Sequence, residues 1–216
     1  RWRPWLAAVV PAFLLLLPWI WVAVTNNLNL RHVISVAPVP VAERLRGETT
    51  FSWLGVPYTG TGVAGCAIAM DKYRTKLAWL GAGLPTPPYK VVDANTDVQS
   101  VIAELGLPFI IKPGREGSSL GVAKVSLADD FGSAVKAALA YDELVIAERY
   151  IKGGEYTLSI VAGQTLPMIR LETPHEIYDY AAKYLVDTTS YICPCGLSAA
   201  DEAAAAALGL RAFEAL

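Results

Sequence analysis

Residues 109–125, FIIKPGREGSSLGVAKV, constrain the fold more than any other stretch of the chain. An apolar run of strand length ends in Lys112, a loop carrying Gly114, Gly117, Ser118, Ser119 and Gly121 follows, and a second short apolar run returns. Glycines let successive backbone N–H groups converge on one anion, and serine hydroxyls add further donors, so such a loop suits phosphate oxygens. It is not the GxxxxGK[ST] loop. Because it leads into a strand rather than a helix, the helix-dipole route to phosphate binding does not apply. Taken alone, the same residues also describe a glycine-rich β-hairpin without a ligand.

From residue 53 onward short apolar runs alternate with helical stretches, which predicts a mixed α/β domain. Residues 71–80 read as a helix stopped by the loop GAGLPTPPY. Strands are expected at 89–92, 109–112, 122–125, 144–148, 156–161 and 166–171, with a helix at 128–140 between the third and fourth. Ser198 with Asp201 three residues on resembles a capping box and opens a last helix that runs to 216. With 54% hydrophobic and 18% charged residues, this body is too apolar for disorder and long enough for one or two packed domains.

The front of the chain is different. Residues 5–24, WLAAVVPAFLLLLPWIWVAV, are twenty residues without a charge, a membrane-spanning length with tryptophans near both ends. A transmembrane helix is expected over 1–27; a signal peptide and a buried core helix are the competing readings, each less well matched to the length and all-round hydrophobicity. Arg1 and Arg3 before the span balance Arg31 and Arg44 after it, so orientation stays open. Residues 28–52 read as a linker. Eighteen basic and 20 acidic residues give a net charge of -2 with no basic stripe, which argues against a nucleic-acid partner. Cys66, Cys193 and Cys195 are an odd set, with Cys-Pro-Cys too tight for an easy disulfide, and they predict neither a disulfide framework nor a zinc site.

Five stretches in order, LGVPYTGTGVAGCAIAMDKYRTK, GLPTPPY, the Gly/Ser loop, VIAERYIKGGEYTLSI and YDYAAKYLVDTTSYICPCGLS, resemble the motifs of the D-alanine–D-alanine ligases of the ATP-grasp superfamily. The resemblance runs from residue 53 to 216. It implies an incomplete α/β (α+β) ATP-grasp fold: 53–84 a remnant of the N-terminal region, 85–171 the central subdomain, and 172–216 a closing loop and the start of the C-terminal subdomain. The activity implied is the ATP-dependent joining of two D-alanines through an acyl phosphate, for peptidoglycan precursors in the cytoplasm. D-alanine is the implied substrate and a homodimer an open option. The hydrophobic span adds the expectation of a membrane anchor.

The resemblance also implies roles. Lys72 matches a lysine that reaches the nucleotide phosphates, and Lys112 one that grips the α and β phosphates. By spacing alone, Lys72 and Lys76 share a helix face at i, i+4, as a solvated face also shows, and Lys76 is expected on the surface. A lysine emerging from a buried strand, as Lys112 does, needs an anion or a carboxylate to meet it. Glu148 with the backbone of Arg149 and Ile151 matches the groups that read the adenine edge, and Glu155 the carboxylate on the ribose hydroxyls. Without the family both glutamates read as ordinary strand-end carboxylates. Ser118 and Ser119 match the phosphate loop, Lys183 a lysine at the transferred phosphate, and Tyr184 a tyrosine that orients substrates with Ser118. His175 is expected to be a loop residue.

Magnesium is implied with ATP, and its ligands are expected beyond residue 216, in a segment resembling GRVD followed by EVN. An amino-terminal domain carrying a glutamate is likewise expected before residue 54. The chain is therefore expected to be partial and inactive alone. The alternatives are a membrane-tethered nucleotide-binding module without turnover and a different ATP-grasp carboxylate–amine ligase.

Overall fold

A computed structural model of the chain describes residues 53–55, 61–174, 183, 185 and 188–216. The chain divides into two units, Arg1–Val39 and Pro40–Leu216, and every described residue belongs to the second. The expected transmembrane helix over 1–27 and the linker over 28–52 lie outside the described residues, as do His175 and Tyr184. Among the described residues no helix is long and apolar enough to cross a membrane.

Two helices come first, α1 (Val63–Met70) and α2 (Lys72–Gly81). Between them Asp71 caps α2, its carboxylate accepting from the Arg74 N–H at 2.9 Å. A four-stranded antiparallel sheet follows, built from β1 (Tyr89–Val92), β2 (Phe109–Pro113), β3 (Ala123–Val125) and β4 (Val145–Arg149) in the order β1-β4-β2-β3. Helix α3 (Val98–Leu105) connects β1 to β2, and α4 (Phe131–Leu139) connects β3 to β4 after a 3-10 turn at Ala128–Asp130. Both helices cover one face of the sheet.

Strand periodicity decides what faces the helices and what does not. In β2, Phe109, Ile111 and Pro113 are buried, whereas Ile110 and Lys112 point the other way. Phe109, Ile111, Val125, Val145 and Ala147 pack with Val101, Leu105, Phe131, Ala134, Val135 and Ala138 into one core. Phe109 and Phe131 meet edge to face at 6.1 Å between ring centres. The register sets Ile110 opposite Glu148 and Lys112 opposite Ile146, so Lys112 and Glu148 share the face away from that core. This is how a buried strand delivers a charged amine to the site.

Beyond β4 the chain builds a second antiparallel sheet, β5 (Glu155–Thr157), β8 (Ile169–Glu172) and β9 (Ser190–Ile192), in the order β5-β8-β9. A separate ribbon of β6 (Ile160–Val161) and β7 (Gln164–Thr165) turns through Ala162 and Gly163, both at positive φ. The last helix, α5 (Ala199–Glu214), is capped by Ser198, whose hydroxyl accepts from the Asp201 N–H at 3.1 Å.

The mixed α/β architecture agrees with the sequence, and four boundaries are corrected. The strand expected at 156–161 is two strands, broken between Thr157 and Ile160. The strand expected at 166–171 starts at Ile169, with β7 ahead of it. The helix expected from 128 opens as a 3-10 turn, and the last helix stops at Glu214. Helices α1 and α3 and strand β9 were not anticipated.

Candidate functional site

The Gly/Ser loop is held at its base by several independent contacts. Gly114 donates its N–H to the Leu144 carbonyl at 2.7 Å and accepts from the Lys72 N–H at 2.9 Å. No side chain fits there, since a Cβ on Gly114 would lie 2.7 Å from Leu144 Cδ2. Arg115 is fixed by Asp142, which accepts from the Arg115 N–H at 2.7 Å and from its guanidinium Nη2 at 2.5 Å. Burial alone would raise the Asp142 carboxyl, but the Arg115 guanidinium and the Leu144 and Arg115 N–H groups outweigh it and hold it below the usual carboxylate range. At the tip, Ser118 and Ser119 are both left-handed, with φ of 54° and 59°, a conformation that costs free energy for residues other than glycine and clusters at ligand sites.

Lys72 braces this loop from the helix side. Its ammonium donates to the Pro113 carbonyl at 3.0 Å and to the Glu116 carbonyl. Burial, reinforced by repulsion from the Lys112 ammonium, lowers its pKa to about 8. Lys72 thus lies under the loop that the resemblance assigns to phosphates, with its amine engaged by the loop's own carbonyls.

Lys112 is met by the carboxylate that its position demands. Its amine lies 2.6 Å from Glu148 Oε1, and the second oxygen, Oε2, is 2.5 Å from the amine of Lys76. The surface placement expected for Lys76 is therefore wrong: its side chain is 6% exposed. The i, i+4 spacing with Lys72 carried no information about Glu148, which arrives on β4 from 72 residues further along the chain.

A cavity of about 790 Å³ opens between the two sheets, in the size range of small-molecule sites. Of the expected residues it brings together Ser119, Ile151, Glu155 and Lys183, and adds Ile110 of β2 with Val122 just before β3 and Tyr150 just after β4. Lys183 donates to the Ser119 hydroxyl at 2.8 Å, so this one residue meets the Gly/Ser loop. Lys72, Lys112 and Glu148 are not in its lining. The Arg149 side chain turns away, its Nε donating to the Leu105 carbonyl at 2.9 Å, and its N–H is engaged by the Pro88 carbonyl at 2.9 Å.

Two charged residues of the cavity, Arg170 and Glu172, were not singled out as site residues from the sequence. Arg170 and Glu172 alternate with Ile169 and Leu171 along β8, a period-2 pattern that marks one polar face. Arg170 pairs with Glu172 at 2.7 Å, yet its Nε is buried without a hydrogen-bond partner among the described residues. A buried donor left open beside a cavity is one that a ligand or an ordered water can satisfy.

Comparison with known proteins places this geometry. The family model described as D-ala D-ala ligase C-terminus matches residues 78–216. The chain belongs to that family. It is 53% identical over 171 residues to the D-alanine–D-alanine ligase of Acinetobacter baumannii, covering 78% of this chain and 56% of the relative. With the ligase of Alkalilimnicola ehrlichii it shares 53% identity over 160 residues, 74% of this chain and 51% of the relative. The solved Bacillus anthracis D-alanine–D-alanine ligase superposes with a TM-score of 0.67 at 31% identity, over 78% of this chain and 55% of that one. The same enzyme complexed with ATP superposes with a TM-score of 0.65 at 27% identity, over 78% and 54%. The chain thus spans about half the length of the relatives it matches.

Donor chemistry separates ATP from the magnesium implied with it. The cavity, the left-handed serines and the open Arg170 donor fit a nucleotide. Among the described residues no group of three or more His, Cys, Asp or Glu residues is placed to hold a metal ion. Those residues do not form a magnesium cage.

Proposed function

We propose that this chain forms the nucleotide-gripping part of an ATP-grasp ligase that joins two D-alanines for peptidoglycan precursors. The observation that carries the reading is the contact between Lys183 and Ser119, which sets a lysine of the stretch read as a closing loop against the Gly/Ser loop. ATP, when bound, supplies the phosphoryl group that converts the reluctant carboxylate oxygen into a leaving group.

The chain's own residues would then divide the work. Lys112, Lys183, Ser118 and Ser119 offer positive charge and donors to phosphate oxygens, which matters most where charge develops in the transition state. Glu148 and the backbone of Arg149 and Ile151 take the adenine edge. The Ile151 N–H has no hydrogen-bond partner among the described residues, and Arg149 has only its carbonyl left to offer. Glu155, exposed at the start of β5 and in the cavity lining, takes the ribose hydroxyls. Lys72 acts one layer back by bracing the loop. Residues 172–196 exclude water from the reacting centre, and Tyr184 with Ser118 orients the amino-acid substrates. The domain divisions at 53–84, 85–171 and 172–216 follow the same reading.

The test is a chimera in which this chain's matching segment replaces the corresponding 171 residues of the Acinetobacter baumannii ligase. Equal amounts of ADP and D-alanyl-D-alanine, formed only when D-alanine is present, are expected. A folded chimera that binds ATP and makes no dipeptide would overturn the ligase reading.

A further inference from the structure

The charge cluster of Lys76, Glu148 and Lys112 contains two ammoniums and one carboxylate, and the two amines are not equivalent. Lys76 spends its three N–H bonds on Thr86 Oγ1 at 2.7 Å, the Pro87 carbonyl at 3.0 Å and Glu148 Oε2 at 2.5 Å. Its stem packs by Tyr89, the amine 5.0 Å from the ring centre. Lys112 has one hydrogen-bond partner among the described residues, Glu148 Oε1 at 2.6 Å, and its side chain is 20% exposed against 6% for Lys76. One lysine is fully committed and buried; the other is held by a single carboxylate oxygen at the edge of solvent.

We propose that Lys76 is the standing counter-ion of Glu148, a positioning residue that keeps the carboxylate neutralised and in place so that Lys112 can leave it for nucleotide phosphates. A carboxylate this buried, with a side chain 13% exposed, cannot lose all its cations without a large desolvation cost. If Lys112 were the only cation, moving it to phosphate would strand Glu148, and the nucleotide would bind against that cost. Lys76 removes the conflict. The three acceptors around its amine give it no reason to follow Lys112. The inference rests on the nucleotide-binding reading.

The experiment is a double-variant cycle on the full chain, with ATP affinity measured by isothermal calorimetry and folding checked by circular dichroism. Lys76→Met is expected to weaken ATP binding at least tenfold, because Lys112 becomes trapped on Glu148. In the Glu148→Gln background the same change is expected to cost less than twofold, since a neutral amide traps nothing. A merely structural lysine would cost the same in both backgrounds, and that result overturns the proposal. If Lys76→Met alone does not fold, the double variant against Glu148→Gln decides: equal affinity supports the proposal and a tenfold loss refutes it. Absence of ATP binding by the unaltered chain would instead bring down the nucleotide reading itself, and this inference with it.

Discussion

Replacing Asp142 by alanine removes the anchor that ties the base of the Gly/Ser loop to the start of β4. The carboxylate is 6% exposed and accepts from the Arg115 N–H at 2.7 Å, the Arg115 Nε at 3.1 Å, the Arg115 Nη2 at 2.5 Å and the Leu144 N–H at 3.1 Å. Without it, two backbone donors lose their acceptor, at about 1 kcal/mol each because both residues are only half-buried. The guanidinium is 39% exposed and recovers water, so the lost ion pair adds no more than about 1 kcal/mol. A total of about 2–3 kcal/mol follows, a large share of the ~5–15 kcal/mol that holds a domain together. Urea unfolding followed by circular dichroism at pH 7 reads it directly. The folded-state pKa of Asp142 lies below its unfolded value of 3.8, so its contribution is complete above that value and fades as pH falls through the folded one. The gap between the two proteins should therefore narrow below about pH 4. A difference under about 0.5 kcal/mol at pH 7, the ordinary scatter of surface changes, or a gap that persists in acid, would refute this account of the loop's anchorage.

Three further outcomes are expected. Lys72 has a pKa of about 8 in the fold against 10.5 outside it, so the unfolded chain holds more protons between those values and stability should rise with pH there. The rise from Lys72 is up to about 1.4 kcal/mol per pH unit, so unfolding curves should climb more steeply with pH in the unaltered chain than in Lys72→Met, where Lys76, also lowered by burial, keeps part of the slope. Gly114→Ala should cost about 1–3 kcal/mol in thermal unfolding, because its methyl would collide with Leu144 and push β4 from the loop. Phe109→Ala, at a position with no exposure and an edge-on contact to Phe131, should cost about 3–5 kcal/mol in the same assay; a loss below about 1 kcal/mol would mean that the core does not centre there.

Strands that open on buried apolar residues were the easiest to find from the sequence. FIIKP and VIAER announce themselves as apolar runs, and β2 ends one residue from the expected boundary. The need of Lys112 for an anion or a carboxylate was also legible, since burial makes the demand by itself. Which carboxylate meets it was not, because Glu148 reaches Lys112 only through the β2–β4 register. Lys76 was hidden for the same reason. Helix α3 carried a readable signal, with Asp97 as a cap accepting from Gln99 and Ser100 and apolar residues at 98, 101, 102 and 105. The ribbon of β6 and β7 had a weak one: Ala162-Gly163 lacks the Asn-Gly or Asp-Gly pair that usually marks a two-residue turn, so adjacent apolar residues merged into longer strands. Arg170 could not be singled out, because an open Nε is a property of its surroundings rather than of its neighbours in sequence.

The central claim is that the Gly/Ser loop and the lysines around it form a nucleotide site, and titration of the chain with ATP in a calorimeter tests it most directly. Saturable one-to-one binding is expected, weakened tenfold or more by Lys112→Ala, since removing a charge that meets phosphate oxygens costs on the order of 1.4 kcal/mol or more. Saturable binding that is unchanged in Lys112→Ala, with both proteins folded, would contradict the account.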